Sequence, residues 1–209
     1  MDIPIDLPGL DTLIPTIRGG QVLVAESGPD PAKSYFLRRL CLSALRQDGG
    51  VSFVTTRGRD EVEALFRREG VPSGDAAQRL NISERDELRD LKGFAGSDGV
   101  LALDSFTMLT LELETPDLAG LMRRLRGLCR EHGTTVLLAT DRGIHTPGAE
   151  AVTNHLSDGV VQFHSKEGPE GLVRFLRIPK WIDGQFVDRN VYYDFDGTRM
   201  AMDLRRRVL

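Results

Sequence analysis

A Lys-Ser pair lies at the start of a predicted helix, shortly after an apolar run of strand length. The run is QVLVAE (21–26), and the loop SGPDPAKS follows it and ends at Lys33 and Ser34. In a phosphate-binding loop of the pattern G-x-x-x-x-G-K-[ST], backbone N–H groups and the helix N-terminus surround the phosphates, the lysine neutralises charge and the hydroxyl holds Mg²⁺. Lys33 and Ser34 are therefore candidates for binding a nucleotide phosphate and its metal ion.

The loop departs from this pattern at the positions that bind phosphate. Ser27 and Ala32 replace the two glycines, and only Gly28 remains. Asp30 places a carboxylate where phosphate oxygens would lie, at a cost to nucleotide binding on the order of 1 kcal/mol or more at an intermediate dielectric constant. Asp30 followed by Pro31, which has no N–H to donate, is also a favoured helix start. The residues leave two interpretations open: a nucleotide site, or a loop that carries its own anion.

The segments around this loop alternate between strands and helices. Apolar strands are predicted at 21–26, 51–56, 79–83, 99–105 and 134–140, and amphipathic helices at 31–47, 60–70 and 117–133. Continuous apolar strands separated by amphipathic helices indicate a parallel sheet covered on both faces. The last third shows no helical period and is predicted to add antiparallel strands at one edge. We expect one α/β domain over residues 1–209, with residues 1–20 as an irregular lead-in.

Composition limits the partners and the compartment. The 209 residues are 40% hydrophobic, which is enough for a substantial core. A net charge of -4 argues against nucleic-acid binding, and the basic cluster Arg205–Arg207 is interpreted as a solvated tail or, alternatively, a binding patch. No run approaches the roughly 18 apolar residues of a membrane span. Cys41 and Cys129 are predicted to be buried thiols, and we expect a cytoplasmic protein.

Five segments occur in the order found in KaiC-like domains, a branch of the RecA-type ATPases. They are PGLDTLIPTIRGGQVLVAESGPDPAKSYFLRRL, GVLALDSFTML, LMRRLRGLCREHGTTVLLATDRG, EAVTNHLSDGVVQFHS and RFLRIPKWIDGQF. The sequence resembles that family over nearly its whole length. The resemblance implies a RecA-like P-loop fold with a degenerate Walker A loop.

The resemblance also implies roles for particular residues in binding ATP and Mg²⁺. Lys33 would be the phosphate lysine and Ser34 the Mg²⁺ hydroxyl, with Gly28 as the remaining loop glycine. Asp104 would be the Walker B acid that acts on the metal through water; its alternative role is to cap the next segment. Lys180 would reach the γ-phosphate held by a neighbouring subunit, or is alternatively an ordinary exposed lysine.

The departures from the family indicate an active site that has lost most of its catalytic groups. Where the family has two acids after its second strand, this chain has TTRG (55–58), and Asp60 and Glu61 follow in the first turn of a predicted helix. Ile182 replaces the arginine expected two residues after Lys180. Because phosphoryl transfer depends on positioned water and neutralised charge, these losses predict a regulatory or scaffolding pseudo-ATPase, at most a weak ATPase. It would act through an unknown protein partner or as a homo-oligomer.

Two alternatives remain open. One is an active ATPase with a divergent loop in a signalling, motility or DNA-related assembly, in which Glu26, Asp60 or Glu61 orients water. Glu26 is favoured among these because it ends the strand that feeds the loop. The other is a recombination-type DNA-binding protein, against which the acidic balance and the lack of a basic stripe count.

Overall fold

The computed structural model describes residues 1–14, 16–28, 30–71, 74–86, 88, 99–168, 171–182 and 187–203. The basic cluster Arg205–Arg207 therefore lies outside the described residues. Two short strands, β1 (Ile3–Pro4) and β2 (Thr16–Ile17), come first and pair antiparallel.

Strands and helices then alternate, and the order of the predicted elements is confirmed. The chain continues with β3 (Val22–Ser27), α1 (Ala32–Arg46), β4 (Gly50–Thr55), α2 (Arg59–Arg68), α3 (Asp75–Gln78), β5 (Leu80–Glu84), β6 (Gly99–Leu103), α4 (Phe106–Leu109), α5 (Thr115–His132), β7 (Thr135–Asp141) and α6 (Pro147–Leu156). It ends with β8 (Gly159–Gly168), β9 (Gly171–Trp181), β10 (Val187–Phe195) and β11 (Met200–Asp203).

One nine-stranded sheet organises the described residues, in the order β11-β10-β9-β8-β3-β7-β6-β4-β5. The strands from β8 to β5 in this order are parallel to their neighbours, whereas β9, β10 and β11 pair antiparallel. The predicted fold class, a mostly parallel sheet with flanking helices and an antiparallel C-terminal edge, is confirmed. Because β3 is the fifth of the nine strands, between β8 and β7, the loop after β3 emerges near the middle of the sheet, at the edge where the parallel strands end.

Each face of the sheet has its own core. Successive strand residues point to opposite faces, and Leu23 and Ala25 of β3 accordingly join the core that contains α1. Val22 and Val24 join the second core, which contains α5. The same alternation directs Ser27 toward the α1 face and Glu26 toward the α5 face, so these two neighbours serve different parts of the molecule.

The first 17 residues are more regular than the predicted lead-in. Besides pairing as β1 and β2, they contribute side chains that are at most 2% exposed, namely Ile3, Ile5, Leu7, Leu10, Ile14 and Ile17. These residues belong to the core that contains α1, and Ser43 Oγ of α1 donates to the Pro4 carbonyl at 2.7 Å. The segment is therefore an integral part of the α1 face, although its backbone outside β1 and β2 consists of turns and irregular structure among the described residues.

Helix α6 was not predicted, because the last third was taken to lack helical segments. It begins at Pro147, and the Thr146 hydroxyl accepts a hydrogen bond from the Ala149 N–H at 3.3 Å. Thr followed by Pro is a helix-start signal, but the adjacent Gly148 made the segment resemble a loop. Among the described residues, no helix combines the length and apolar character needed to cross a membrane.

Candidate functional site

Lys33 lies in the first turn of α1, and groups of the chain itself bind its ammonium. Its Nζ donates to Ser27 Oγ at 3.0 Å and to the Gly28 carbonyl at 3.3 Å. It also forms an ion pair with the carboxylate of Asp141 at the end of β7. The Lys33 side chain is 7% exposed. The positive charge expected to bind phosphate is thus already neutralised by a carboxylate.

The loop turns a carbonyl toward Lys33, where a phosphate-binding loop would present N–H groups. Besides Lys33 Nζ, the Gly28 carbonyl accepts from the Asp30 N–H at 2.7 Å and from Ser27 Oγ at 2.5 Å. A carbonyl oxygen repels an anion, and the Asp30 N–H that binds it is no longer available to a phosphate. Gly28 is the glycine that matched the motif, and its described contacts place it in a closed turn.

Asp30 supplies the second internal anion of the loop. Its Oδ1 accepts a hydrogen bond at 2.8 Å from the N–H of Ala32, the first residue of α1, which favours the interpretation of Asp30-Pro31 as a helix start. Its Oδ2 lies 3.8 Å from Arg174 Nε on β9, and its side chain is 9% exposed. Burial, together with the charge of Asp30, raises the pKa of the nearby Tyr193 phenol. A phosphate entering here would meet a poorly hydrated carboxylate, against which repulsion is stronger than in water.

Ser34 and Asp104 are brought together, as the resemblance implies. Ser34 Oγ donates to Asp104 Oδ1 at 2.7 Å, and the two residues are 6% and 1% exposed. Asp104 follows β6, and its Oδ2 is buried without a hydrogen-bond partner among the described residues. An orphaned carboxylate oxygen beside a hydroxyl is a donor set that suits Mg²⁺. The bond to Ser34 also argues against the alternative in which Asp104 caps the next segment.

The described residues therefore suit the Mg²⁺ ion of a bound nucleotide but not its phosphates. Ser34 and Asp104 offer oxygen ligands for Mg²⁺. The phosphate part does not fit this arrangement, because Lys33 already forms an ion pair with Asp141 and the Ala32 N–H already donates a hydrogen bond to Asp30. Elsewhere in the described chain, no group of three or more His, Cys, Asp or Glu side chains is placed to hold a metal ion.

Glu26 lies on the opposite face of the sheet from Ser27 and is enclosed by donors. Its carboxylate accepts from Arg142 Nε at 2.7 Å, from Asn154 Nδ2 at 2.8 Å and, more weakly, from Gln162 Nε2 at 3.4 Å. These contacts join β3 to the end of β7, to α6 and to β8. These hydrogen bonds give Glu26 a structural role in holding the elements together. Its role in orienting water stays a prediction.

Lys180 caps the C-terminal end of α6. Its Nζ donates to the carbonyls of Asn154 at 3.0 Å, His155 at 2.8 Å and Ser157 at 2.5 Å. The last carbonyls of a helix lack partners within the helix, and a cation there also complements the helix dipole. Burial lowers the pKa of Lys180. Contact with the γ-phosphate of a neighbouring subunit stays a prediction and would require these three bonds to be exchanged.

The acids expected after the second strand do not lie at its end. Asp60 and Glu61 occupy the first turn of α2, as predicted, where they complement the helix dipole. At the end of β4, the Thr55 hydroxyl accepts from the Arg57 N–H at 3.0 Å. Ile182, at the position of the missing arginine, is 55% exposed.

Sequence reasoning missed Asp141 and Arg142, the two residues that bind the candidate site residues most directly. Asp141 binds Lys33, and Arg142 binds Glu26. A signal for Asp141 was present, because an acid directly after a buried parallel strand is placed where such sheets bind ligands. The strand was predicted to end one residue too early, at Thr140. For Arg142, whose partner is 116 residues away, the sequence carries no comparable signal.

The comparisons with known proteins identify the fold. No protein-family model matches the sequence, and no curated protein matches it. Among solved structures, the flagellar accessory protein FlaH from Methanocaldococcus jannaschii superposes with a TM-score of 0.77 at 14% identity, over 97% of this chain and 98% of that one. The KaiC-like protein PH0186 from Pyrococcus horikoshii OT3 superposes with a TM-score of 0.73 at 16% identity, over 97% and 99%. At such identities the likeness concerns the fold alone.

Proposed function

The chain has a KaiC-like RecA-type fold, and we propose that it is a regulatory or scaffolding member of this fold whose nucleotide site is held closed by its own carboxylates. It acts through contacts with other proteins and is at most a weak ATPase. The observation that carries the proposal is the ion pair between Lys33 and Asp141.

Two internal anions support this proposal together. Asp141 forms an ion pair with the ammonium of Lys33, and Asp30 accepts a hydrogen bond from the N–H of Ala32. A triphosphate must compete with both, and it brings further negative charge toward carboxylates that are 26% and 9% exposed. Each unit charge at about 4 Å costs about 4 kcal/mol at an effective dielectric constant of 20, before any compensating contact is counted. A penalty of this size is enough to turn a micromolar ligand into a millimolar one.

The fold neighbours are consistent with a role inside an assembly. One of them is by name a flagellar accessory protein. The proposed scaffolding role requires a stable surface for partners and no chemical cycle. A closed loop, with its charges satisfied internally, provides such a surface without a ligand.

Titration calorimetry of Mg²⁺-ATP tests the proposal. At protein and ligand concentrations near a millimolar, we expect the native chain and Lys33→Ala to give equally little heat. Replacing both carboxylates, in Asp30→Asn/Asp141→Asn, is expected to increase ATP affinity at least tenfold, because the like charges are gone while asparagine still caps α1. Asp60→Asn/Glu61→Gln is the matched control for the change in net charge. Micromolar binding by the native chain that Lys33→Ala abolishes would contradict the proposal.

A second candidate function, an ATPase with a divergent loop, is favoured by one observation. Ser34 and Asp104 remain in contact, and Asp104 Oδ2 has no partner among the described residues. A chain that had lost all use for a metal ion would have little reason to bury an unsatisfied carboxylate oxygen. If the calorimetry detects tight binding, single-turnover hydrolysis by the native chain and by Asp104→Asn decides whether this candidate replaces the first.

A further inference from the structure

A cleft of about 510 Å³ lies near the C-terminal edge of the sheet, apart from the residues around Lys33. One wall is segment 111–116, which connects α4 to α5, and the other is the loop and first turn of α6 at 144–149. Leu111 and Ile144, one from each wall, are 45% and 53% exposed. They are two of five large apolar side chains that the described part of the chain exposes to this extent. We call this feature the 111–116 cleft.

The charge of the 111–116 cleft is negative. Glu112 and Glu114 line it, and its lining residues include no lysine or arginine. The N-termini of α5 and α6 also face the cleft, and each contributes only about half a positive charge. Two carboxylates outweigh two helix ends by roughly one unit charge. A matching ligand therefore combines apolar side chains with arginine or lysine.

The chain carries such a segment at 204–209, outside the described residues. Its sequence is LRRRVL, three arginines flanked by leucine and valine. The sequence left two interpretations of this cluster open, a solvated tail and a binding patch. The acidic and apolar cleft supplies the counterpart that a binding patch requires.

The segment cannot reach the cleft of its own molecule. Arg207 is four residues beyond Asp203, the last residue of β11, and four extended residues span at most about 14 Å. In the sheet, β11 and β7 are separated by β10, β9, β8 and β3. Neighbouring strands are about 4.8 Å apart, so β7 is about 24 Å from β11. Docking must therefore occur between two molecules.

We propose that segment 204–209 of one molecule docks in the 111–116 cleft of a second copy of the chain. The arginines face Glu112 and Glu114, and the flanking apolar side chains cover Leu111 and Ile144. The contact joins two different surfaces, so it is heterologous and propagates from copy to copy until it closes into a ring or remains an open chain. This inference is independent of whether nucleotide binds at Lys33.

Charge reversal in the full-length chain tests this contact. One variant, Glu112→Arg/Glu114→Arg, reverses the cleft, and another, Arg205→Glu/Arg206→Glu/Arg207→Glu, reverses the segment. A third variant combines both sets of substitutions. Glu131→Arg, near the C-terminal end of α5, is the control for an exposed acid away from the cleft. Sedimentation velocity from about 10 to 500 µM, at low and at high salt, measures self-association, and circular dichroism confirms that each variant is folded.

We expect the native chain and Glu131→Arg to self-associate, more strongly at low salt. Each reversal alone should weaken association at least tenfold, and the combined variant should restore it to within about threefold of the native chain. Mixing the two single reversals should also restore association beyond one-to-one pairs, because the native segment then meets a native cleft and the reversed segment meets a reversed cleft. A native chain that stays monomeric at 500 µM overturns the proposal, as does association that neither reversal changes or that the combined variant fails to restore.

If the cleft reversal unfolds α5, a labelled MDLRRRVL peptide takes its place. Its fluorescence anisotropy is measured against the chain that carries the segment reversal, whose cleft is native, and a peptide with glutamate in place of the arginines is the control. Binding at least tenfold tighter than the control supports docking. Equal binding of the two peptides overturns it.

Discussion

At the scale of single residues, the candidate site is defined by which group each charged side chain contacts. Lys33, Ser34 and Asp104 were predicted, and the structure brings Ser34 to Asp104. The contacts of Lys33 depend on Asp141 from a distant strand. A motif identifies residue types at fixed spacing, but it does not reveal which side chain from elsewhere reaches them. The candidate residues were therefore identifiable from the sequence, and the ion pair of Lys33 with Asp141 was not.

Lys180 provides a prediction at this scale. Lys180→Ala removes the donor to three carbonyls at the end of α6, and we expect it to lower the free energy of unfolding by about 1–2 kcal/mol. Urea denaturation measures the change, with Lys166→Ala, on an exposed part of β8, as the control. An unchanged midpoint for Lys180→Ala would show that this lysine does not support α6.

His164 predicts how stability depends on pH. Burial lowers its pKa, as do Arg142 and Arg177, and Glu26 only partly opposes them. Because the folded-state pKa lies below the unfolded value of about 6.5, the unfolded chain binds more protons between these two values. The contribution of His164 to stability is therefore complete above the unfolded value and falls as pH is lowered through this window.

Comparing variants isolates this effect. Between about pH 7.5 and 5, we expect the native chain to lose more unfolding free energy than His164→Gln. His155→Gln, which alters an exposed histidine, should behave like the native chain. Thermal or urea denaturation at several pH values checks this, and parallel pH profiles for all three proteins would contradict it.

At the scale of elements, local signals worked where the apolar pattern was continuous. The buried strands β3, β4, β6 and β7 were predicted within one or two residues of their ends. The pattern was less informative in residues 1–17, where prolines interrupt the apolar positions, and in α6, where Pro147 and Gly148 are adjacent. In both segments the structure depends on packing against distant elements, which no local window contains.

The buried N-terminal segment supports a prediction about stability. Leu10→Ala removes a side chain that is fully buried in the α1-side core, so we expect it to lower the free energy of unfolding by about 2–5 kcal/mol. Leu172→Ala, at a position that is 52% exposed, is the matched control and should cost far less. Chemical denaturation gives both values. Equal, small losses would mean that residues 1–17 contribute little to the core.

At the scale of the whole molecule, the order of elements was sufficient to predict a mostly parallel sheet with flanking helices, and the resemblance to KaiC-like domains implied its RecA-like type. Alternating apolar strands and amphipathic helices permit few arrangements, because parallel strands need right-handed crossovers and helices on both faces. The apolar pattern does not reveal the order of strands within the sheet, in which β3 lies between β7 and β8. That order brings Asp141 beside Ser27 and Lys33, so the closure of the loop is a property of the assembled sheet.

The end of β7 has a mechanical consequence. Asp141 holds the Lys33 loop on one face of the sheet, and the next residue, Arg142, holds Glu26 on the other, where Asn154 of α6 shares the same carboxylate. The Arg142 N–H is also bonded to the Ser27 carbonyl at 2.8 Å. Asp141 and Arg142 thus contact side chains on both faces of the sheet, and the hydrogen bond to the Ser27 carbonyl holds this strand end against β3. A displacement of this strand end that separates Asp141 from Lys33 would also move Arg142 relative to Glu26, the carboxylate that binds Asn154 of α6.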